Sequence, residues 1–446
     1  MLVIVNQLKL FWMVALFSFS AFADVRYILE LKLGSDPKPI TTKYGLTVVR
    51  SWLQLDHLSV FVSSSQALST ASISQLRSEK GVIEIEPDST IRSSETEPDS
   101  KAKAALEVVG PWFPFLGTIN YFGSKVHQGY VWQPTTGMIA LSDTQKKYGL
   151  GTGIVAIIDT GVDTTHEALR NVLLPGYDFT RERSDTVSEF YDLSANAFAA
   201  LQQSTVEILD SKKVVVQVNN TTAAILAQST VEILDGKGLP SAFGHGTMVA
   251  GLVHLVAPEA RIMPLKAFKA DGSAQLSDIV RAIRYAADHG AAVISMSFGF
   301  AQYSGELKAA IDYANSRGVL CIASSGNSGK EAKVYPAALV NVLGVGSTNF
   351  SDKRSPFSNY GFSAKTSAPG EAIVTTFPGN TYAAVWGTSF STGLAAGAAS
   401  LFRQVKPGLN FQNFKDAFDY GLPISQDMGD SRLQLMRSLD YLQREH

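Results

Sequence analysis

The sequence predicts a doubly wound α/β domain on a mostly parallel sheet, with a small α+β unit ahead of it. Three observations carry this reading. Ile154-Val155-Ala156-Ile157-Ile158, Val293-Ile294-Ser295-Met296 and the run from Val319 to Ala323 are apolar at nearly every position, as strands covered on both faces must be. Between them Ile279, Ile283, Ala286 and Ala287, then Leu307, Ala310, Ile311 and Ala314, recur with helical period, and a glycine closes each run, Gly290 and Gly318. Such alternation of strand and helix implies parallel strands joined by helical crossovers. Upstream, the stretches from Tyr27 to Leu33, Leu58 to Val62 and Val82 to Glu86 alternate as strands do, and Ile73 to Glu79 reads as a helix.

Taken in chain order, Lys9 precedes the apolar run from Leu10 to Phe17, and Ala21-Phe22-Ala23 has the small-x-small pattern that signal peptidases cut. Residues 1–23 are therefore expected to be a signal peptide. Their apolar core is shorter than the roughly 20 residues that span a bilayer, and no uninterrupted spanning stretch follows residue 24, so no membrane partner is expected once the signal is removed. The small α+β unit occupies 24–92. From Ser93 to Lys101 there is no apolar residue, which sets a solvated linker at 93–103. Residues 104–149 hold Trp112, Phe113, Phe115, Tyr121, Phe122, Tyr130 and Trp132 without a period and are expected to form an irregular lead-in. The α/β domain is placed at 150–405 and a C-terminal extension at 406–446. Within the domain, Ser-Thr-Val-Glu-Ile-Leu-Asp stands at 204–210 and again at 229–235. Two copies are too few for a self-supporting solenoid, so they mark an inserted hairpin-like subdomain at about 181–240.

Composition narrows the function classes. With 446 residues, 45% apolar and 17% charged, the chain is an ordinary globular one. A net charge of -2 and the absence of any long basic segment leave no footprint for nucleic acid. Cys321 is the single cysteine, so no internal disulfide can form, and its apolar surroundings mark it as a buried structural residue. Nothing in the sequence sets an oligomeric state.

Three segments carry chemistry. Asp159-Thr160-Gly161-Val162-Asp163 follows a buried strand directly, so the first carboxylate emerges at a strand's carboxyl end, where sites of doubly wound sheets lie. In Gly244-His245-Gly246-Thr247, glycines on both sides of the histidine allow close approach. Gly387-Thr388-Ser389-Phe390-Ser391-Thr392 leads into a small-residue helix and puts Ser389 at its N-terminus. A serine hydroxyl is a poor nucleophile at neutral pH and needs an adjacent imidazole to take its proton. The imidazole in turn needs a carboxylate to hold its tautomer. A fourth segment, Ser324-Ser325-Gly326-Asn327-Ser328-Gly329, puts the Asn327 amide at another strand end, where with the Ser389 backbone N–H it could hold an oxyanion. Asp163 reads as a turn residue, and His57, His127, His166, His254, His289 and His446 show no metal-ligand spacing.

In the order Asp, His, Asn, Ser these strings resemble the subtilisin-like serine peptidases, over roughly residues 150–405. The likeness extends through Val256-Ala257-Pro258, Leu265 to Phe268, Ile294 to Gly299 and Pro356 to Gly361. It implies a subtilisin-like catalytic domain with Asp159, His245 and Ser389 as triad and Asn327 as oxyanion donor, acting on protein or peptide substrates. Ser297, Phe298 and Gly299 would line the primary specificity pocket, and residues 24–92, ending near Glu86-Pro87-Asp88, would be an inhibitory propeptide, a partner of the enzyme made from its own chain. No cofactor is implied for catalysis; structural calcium is known in the family, with ligands the sequence does not assign. Two departures stand out. Gly393 replaces a usual proline at the start of the serine's helix, with Ser391 where alanine is usual, and the stretch from Asp159 to His245 is lengthened by the insertion. They keep open an alternative, a catalytically silent scaffold that binds proteins through the same cleft.

Overall fold

The structure, a computed structural model, describes residues 24–53, 57–92, 117–202, 222–226, 231–232 and 239–444. The expected signal peptide, the linker and most of the repeat lie outside them. The chain divides into two compact units, Met1–Pro87 and Asp88–His446.

The first unit is a four-stranded antiparallel sheet in the order Thr47–Leu53, His57–Ser64, Val25–Lys32, Val82–Pro87. Alternate residues Tyr27, Leu29 and Leu31 of one strand and Val60 and Val62 of its neighbour share a core with Ile40, Leu76 and Ile85. The strand Thr47–Leu53 and the helix Pro37–Lys43 were not expected from the sequence. That helix is short and polar, and it buries only Ile40 and Thr41. Its signals are local ones: proline near its start, and Asp36 accepting from the Lys38 N–H at 2.9 Å.

In the second unit nine strands form one sheet, in the order Leu422–Pro423, Ser431–Arg432, Thr366–Pro369, Val342–Thr348, Leu320–Ser324, Ala291–Met296, Ile154–Asp159, Arg261–Lys266, Tyr177–Asp178. All neighbours are parallel except the first two strands. Sequence order reverses at Ile154–Asp159: the next strand of the central group, Arg261–Lys266, lies on one side and Ala291–Met296 on the other. Loops leaving neighbouring strands diverge at such a point and open a crevice.

The helices His245–Val256 and Thr388–Val405 pack directly on one another, and both are buried along almost their whole length. Close approach is possible because Gly393 and Gly397 face the partner helix. A Cβ on Gly397 would stand 2.6 Å from Val256 Cβ, and one on Gly393 would stand 3.1 Å from Leu252 Cβ. The glycine that departs from the family's usual proline is therefore part of a helix-helix contact.

Two expectations are corrected. Residues 117–149 are regular rather than irregular, with a hairpin Thr118–Tyr121/Ser124–His127 and helices Gln128–Val131, Pro134–Met138 and Leu141–Tyr148. Elements of four to eight residues are too short for a period to show. The 406–446 segment is integral to the domain: Phe414 and Phe418 of helix Phe411–Asp419 pack on Phe402 of the long helix, with ring centroids 6.4 and 5.1 Å away. Within the insertion, Thr222–Leu226 adds antiparallel to Thr381–Val385 and extends the hairpin Ile373–Phe377/Thr381–Val385.

Candidate active site

Asp159 ends the central strand Ile154–Asp159, at the point where the sequence order reverses. His245 opens the helix His245–Val256. Their approach is set by backbone contact, since a Cβ on Gly246 would fall 2.0 Å from the Gly161 carbonyl oxygen. His245 Nδ1 lies 2.8 Å from Asp159 Oδ1, with both residues about 4% exposed or less. A carboxylate only accepts, so Nδ1 carries the proton and Nε2 is the basic nitrogen. Asp159 Oδ1 also accepts from the Thr160 N–H at 2.7 Å.

Ser389 is the second residue of the helix Thr388–Val405, after Gly387, whose φ of 142° is one that side chains avoid. Its Oγ donates to the Ser297 carbonyl at 3.1 Å, and Ser297 Oγ donates back to the Ser389 carbonyl at 3.1 Å. Asn327 follows the strand Leu320–Ser324, and its Oδ1 accepts from the Thr388 N–H at 3.0 Å and from Thr388 Oγ1 at 2.9 Å. A backbone donor fixes which end of the amide is oxygen, so the Nδ2 donors are turned away from Thr388.

Ser297, Phe298 and Gly299 leave the carboxyl end of the strand Ala291–Met296. Phe298 is buried against Phe268, ring centroids 4.9 Å apart, and a Cβ on Gly299 would strike Val334 Cγ1 at 2.2 Å. Asp159, Thr160, Ala242, His245, Phe268, Ser297 and Phe298 line one small crevice. Ser389 is tied to it by its hydrogen bonds with Ser297, and Asn327 is tied to Thr388, the residue before Ser389.

Around this group lie residues that sequence reasoning missed. Thr160, Thr247 and Thr388 each adjoin or nearly adjoin a singled-out residue, and their hydroxyls bridge segments. That position inside the motifs was the available signal. Glu189 is fully buried beside them and belongs to the insertion, where no motif marks it. Burial pushes its carboxyl up to about 7, against hydrogen bonds from Thr247 and Thr160 and the charge of Lys266.

Asp163 is a turn residue in the structure too: its Oδ1 accepts from the Thr165 N–H at 2.9 Å and its Oδ2 from the Gly379 N–H at 2.9 Å. Burial pushes the Cys321 thiol up to about 12, so it is no nucleophile at neutral pH. Among the described residues no group of three or more His, Cys, Asp or Glu is placed to hold a metal ion, and no helix is long and apolar enough to cross a membrane.

A sequence profile described as the subtilase family, Peptidase_S8, matches residues 151–418. Subtilisin BL of Lederbergia lenta is 40% identical over 173 residues, which cover 37% of this chain and 64% of that protein. A thermophilic serine proteinase of Bacillus sp. strain AK1 is 33% identical over 292 residues, covering 63% of this chain and 57% of that protein. The chain thus spans less than two thirds of either relative. Among solved structures, fervidolysin from Fervidobacterium pennivorans, a keratinolytic enzyme related to subtilisin, superposes with a TM-score of 0.66 at 18% identity, over 94% of this chain and 61% of that one. At that identity the likeness concerns the fold.

Proposed function

The chain belongs to the subtilase family, and from that premise we propose that it is a secreted serine endopeptidase that cuts peptide bonds through an acyl-enzyme on Ser389. The observation that carries the reading is the 2.8 Å contact between His245 Nδ1 and Asp159 Oδ1, made where the strand order reverses and beside the helix that bears Ser389. Asp159 holds the imidazole with Nε2 as the base. Ser389 Oγ turns from the Ser297 carbonyl toward Nε2, gives up its proton there and attacks the scissile carbonyl carbon. The oxyanion that forms is met by the Asn327 Nδ2 donors and the Ser389 N–H, at the positive end of an 18-residue helix. His245 then protonates the leaving amine, and water attacks the acyl ester by the reverse proton route. Ser297, Phe298 and Gly299 form the wall for the residue before the cut. The chemistry runs on these side chains and needs no cofactor.

Residues 24–92 serve as a propeptide. In support, within the second unit the strand Thr90–Arg92 pairs antiparallel with Ser273–Gln275, and Asp88 accepts from both the N–H and the Oγ of Ser277 at 2.9 Å. The end of this segment is thus held in the second unit by a two-stranded main-chain pairing. Residues 1–23 direct secretion.

A fluorophosphonate probe tests the reading. The full chain, with and without removal of its first hundred residues, is treated beside Ser389→Ala and weighed intact. Labelling lost in the variant establishes an activated serine; no labelling in either form favours the silent scaffold.

A further inference from the structure

Glu189 is a buried carboxylate that the steps above do not use. It lies in the 3₁₀ turn Glu189–Asp192 of the insertion and is 0% exposed. Its Oε1 accepts from Thr160 Oγ1 at 2.9 Å and from the Thr247 N–H at 3.2 Å, and its Oε2 accepts from Thr247 Oγ1 at 2.5 Å. Both partners belong to the segments that carry the triad. Thr160 follows Asp159 and donates its N–H to that carboxylate, while its Oγ1 accepts from the Gly246 N–H at 3.1 Å. Thr247 Oγ1 accepts from the Asp163 N–H at 2.8 Å. A single carboxylate therefore ties the turn after Asp159 to the first turn of the histidine's helix. The insertion lies flush against that turn: Gly161 has φ +116°, and a Cβ there would stand 2.4 Å from the Val187 carbonyl oxygen. The same 3₁₀ turn is held at its other end, where Asp192 Oδ2 accepts from Lys266 Nζ at 2.6 Å and from the Ala270 N–H at 2.7 Å.

We propose that Glu189 is a positioning residue for the Asp159–His245 pair, so that the base of the insertion is a working part of the active site. The inference rests on the peptidase reading above. Burying a carboxylate is unfavourable unless hydrogen bonds compensate it, and here they do so only if the two triad-bearing segments keep their present register. The ionisable groups on the elements packed around it are Asp159, Asp163, His245 and Lys266, with Asp192 on its own turn. Glutamine would keep the shape, but it would present an amide NH₂ to a Thr247 hydroxyl that already accepts from Asp163 and would then lack an acceptor for its own proton.

The test compares Glu189→Gln and Glu189→Ala in the full chain with Asp185→Asn, an equal charge change at an exposed site of the same segment. Melting temperature, kcat, KM and the pH profile of kcat/KM are measured on a peptide substrate cut by the unaltered protein. A positioning role predicts kcat lower by about 10- to 100-fold in both Glu189 variants, KM within about 3-fold, and a displaced acidic limb, with Asp185→Asn unchanged. A lowered melting temperature with kcat and the acidic limb unaltered overturns it. If Glu189→Ala yields no folded protein, Glu189→Gln decides by the same criteria, and failure of both to fold counts against it. An unaltered protein that the fluorophosphonate does not label overturns the peptidase reading and this inference together; a labelled one with indifferent variants overturns only the inference.

Discussion

At the scale of single residues, the division of labour around Ser389 makes Asn327 the sharpest probe. Its Oδ1 is anchored on Thr388, and in the proposed reaction its Nδ2 donates to the oxyanion. Asn327→Leu should lower kcat by about 10²- to 10³-fold with little change in KM, a range taken from the corresponding donor in a member of this family. Steady-state kinetics check it, and a matching rise in KM instead would mean that the amide binds substrate and transition state alike. Asp159, His245, Asn327 and Ser389 were legible in the sequence as candidates because each sits in a short string whose glycines and strand-end position are themselves signals. Glu189 was not legible. A carboxylate that reaches Thr160 and Thr247 from 29 and 58 positions away leaves no local pattern, and its burial follows from the path of an insertion whose sequence shows only a repeat.

The contact between the two helices that carry His245 and Ser389 is the most informative pair of elements. Gly397 has no room for a methyl group: Val256 Cβ at 2.6 Å and the Val253 carbonyl at 3.1 Å would have to move. Gly397→Ala should therefore destabilise the protein by about 1–3 kcal/mol despite alanine's better helix propensity. Gly393→Ala, with its nearest atom at 3.1 Å, should cost less than Gly397→Ala. Urea unfolding of the two variants side by side checks the order. The long, strongly patterned elements were readable from sequence: the strand Ile154–Asp159 and the helix Leu276–Asp288 stand where the apolar runs put them. The helix Pro37–Lys43 and the hairpin Thr118–Tyr121/Ser124–His127 were not, since so few residues hold less than a full pattern.

For the whole molecule, pH dependence is set by buried groups of opposite sign. Burial lowers His127, His166 and His254, the last to about 4. A histidine whose folded value is depressed gives stability that is present above its unfolded value near 6.5 and is lost as pH falls. Glu189, raised to about 7, acts the other way, and its contribution is present below about 4.5 and lost as pH rises toward 7. Burial raises Glu371 and Asp419 as well, in the same sense as Glu189, so the histidines are opposed and the signal is the change in slope when one of these groups is removed, each being worth up to about 1.4 kcal/mol per pH unit. Glu189→Gln should make the change in unfolding free energy from pH 5 to pH 6.5 more positive than in the unaltered protein; denaturant titrations of both at the two pH values decide, and a change in the opposite direction would refute the assignment. Tolerance to change is also spread unevenly over the molecule. Gly246 against the Gly161 carbonyl and Gly397 against the histidine's helix are places where main chain closes on its neighbour with no room for a methyl group. In a saturation library, these two positions should stay nearly invariant while the exposed surface drifts freely, because the spacing of the segments that carry Asp159, His245 and Ser389 is stored in the thickness of backbones and no later substitution nearby can restore it.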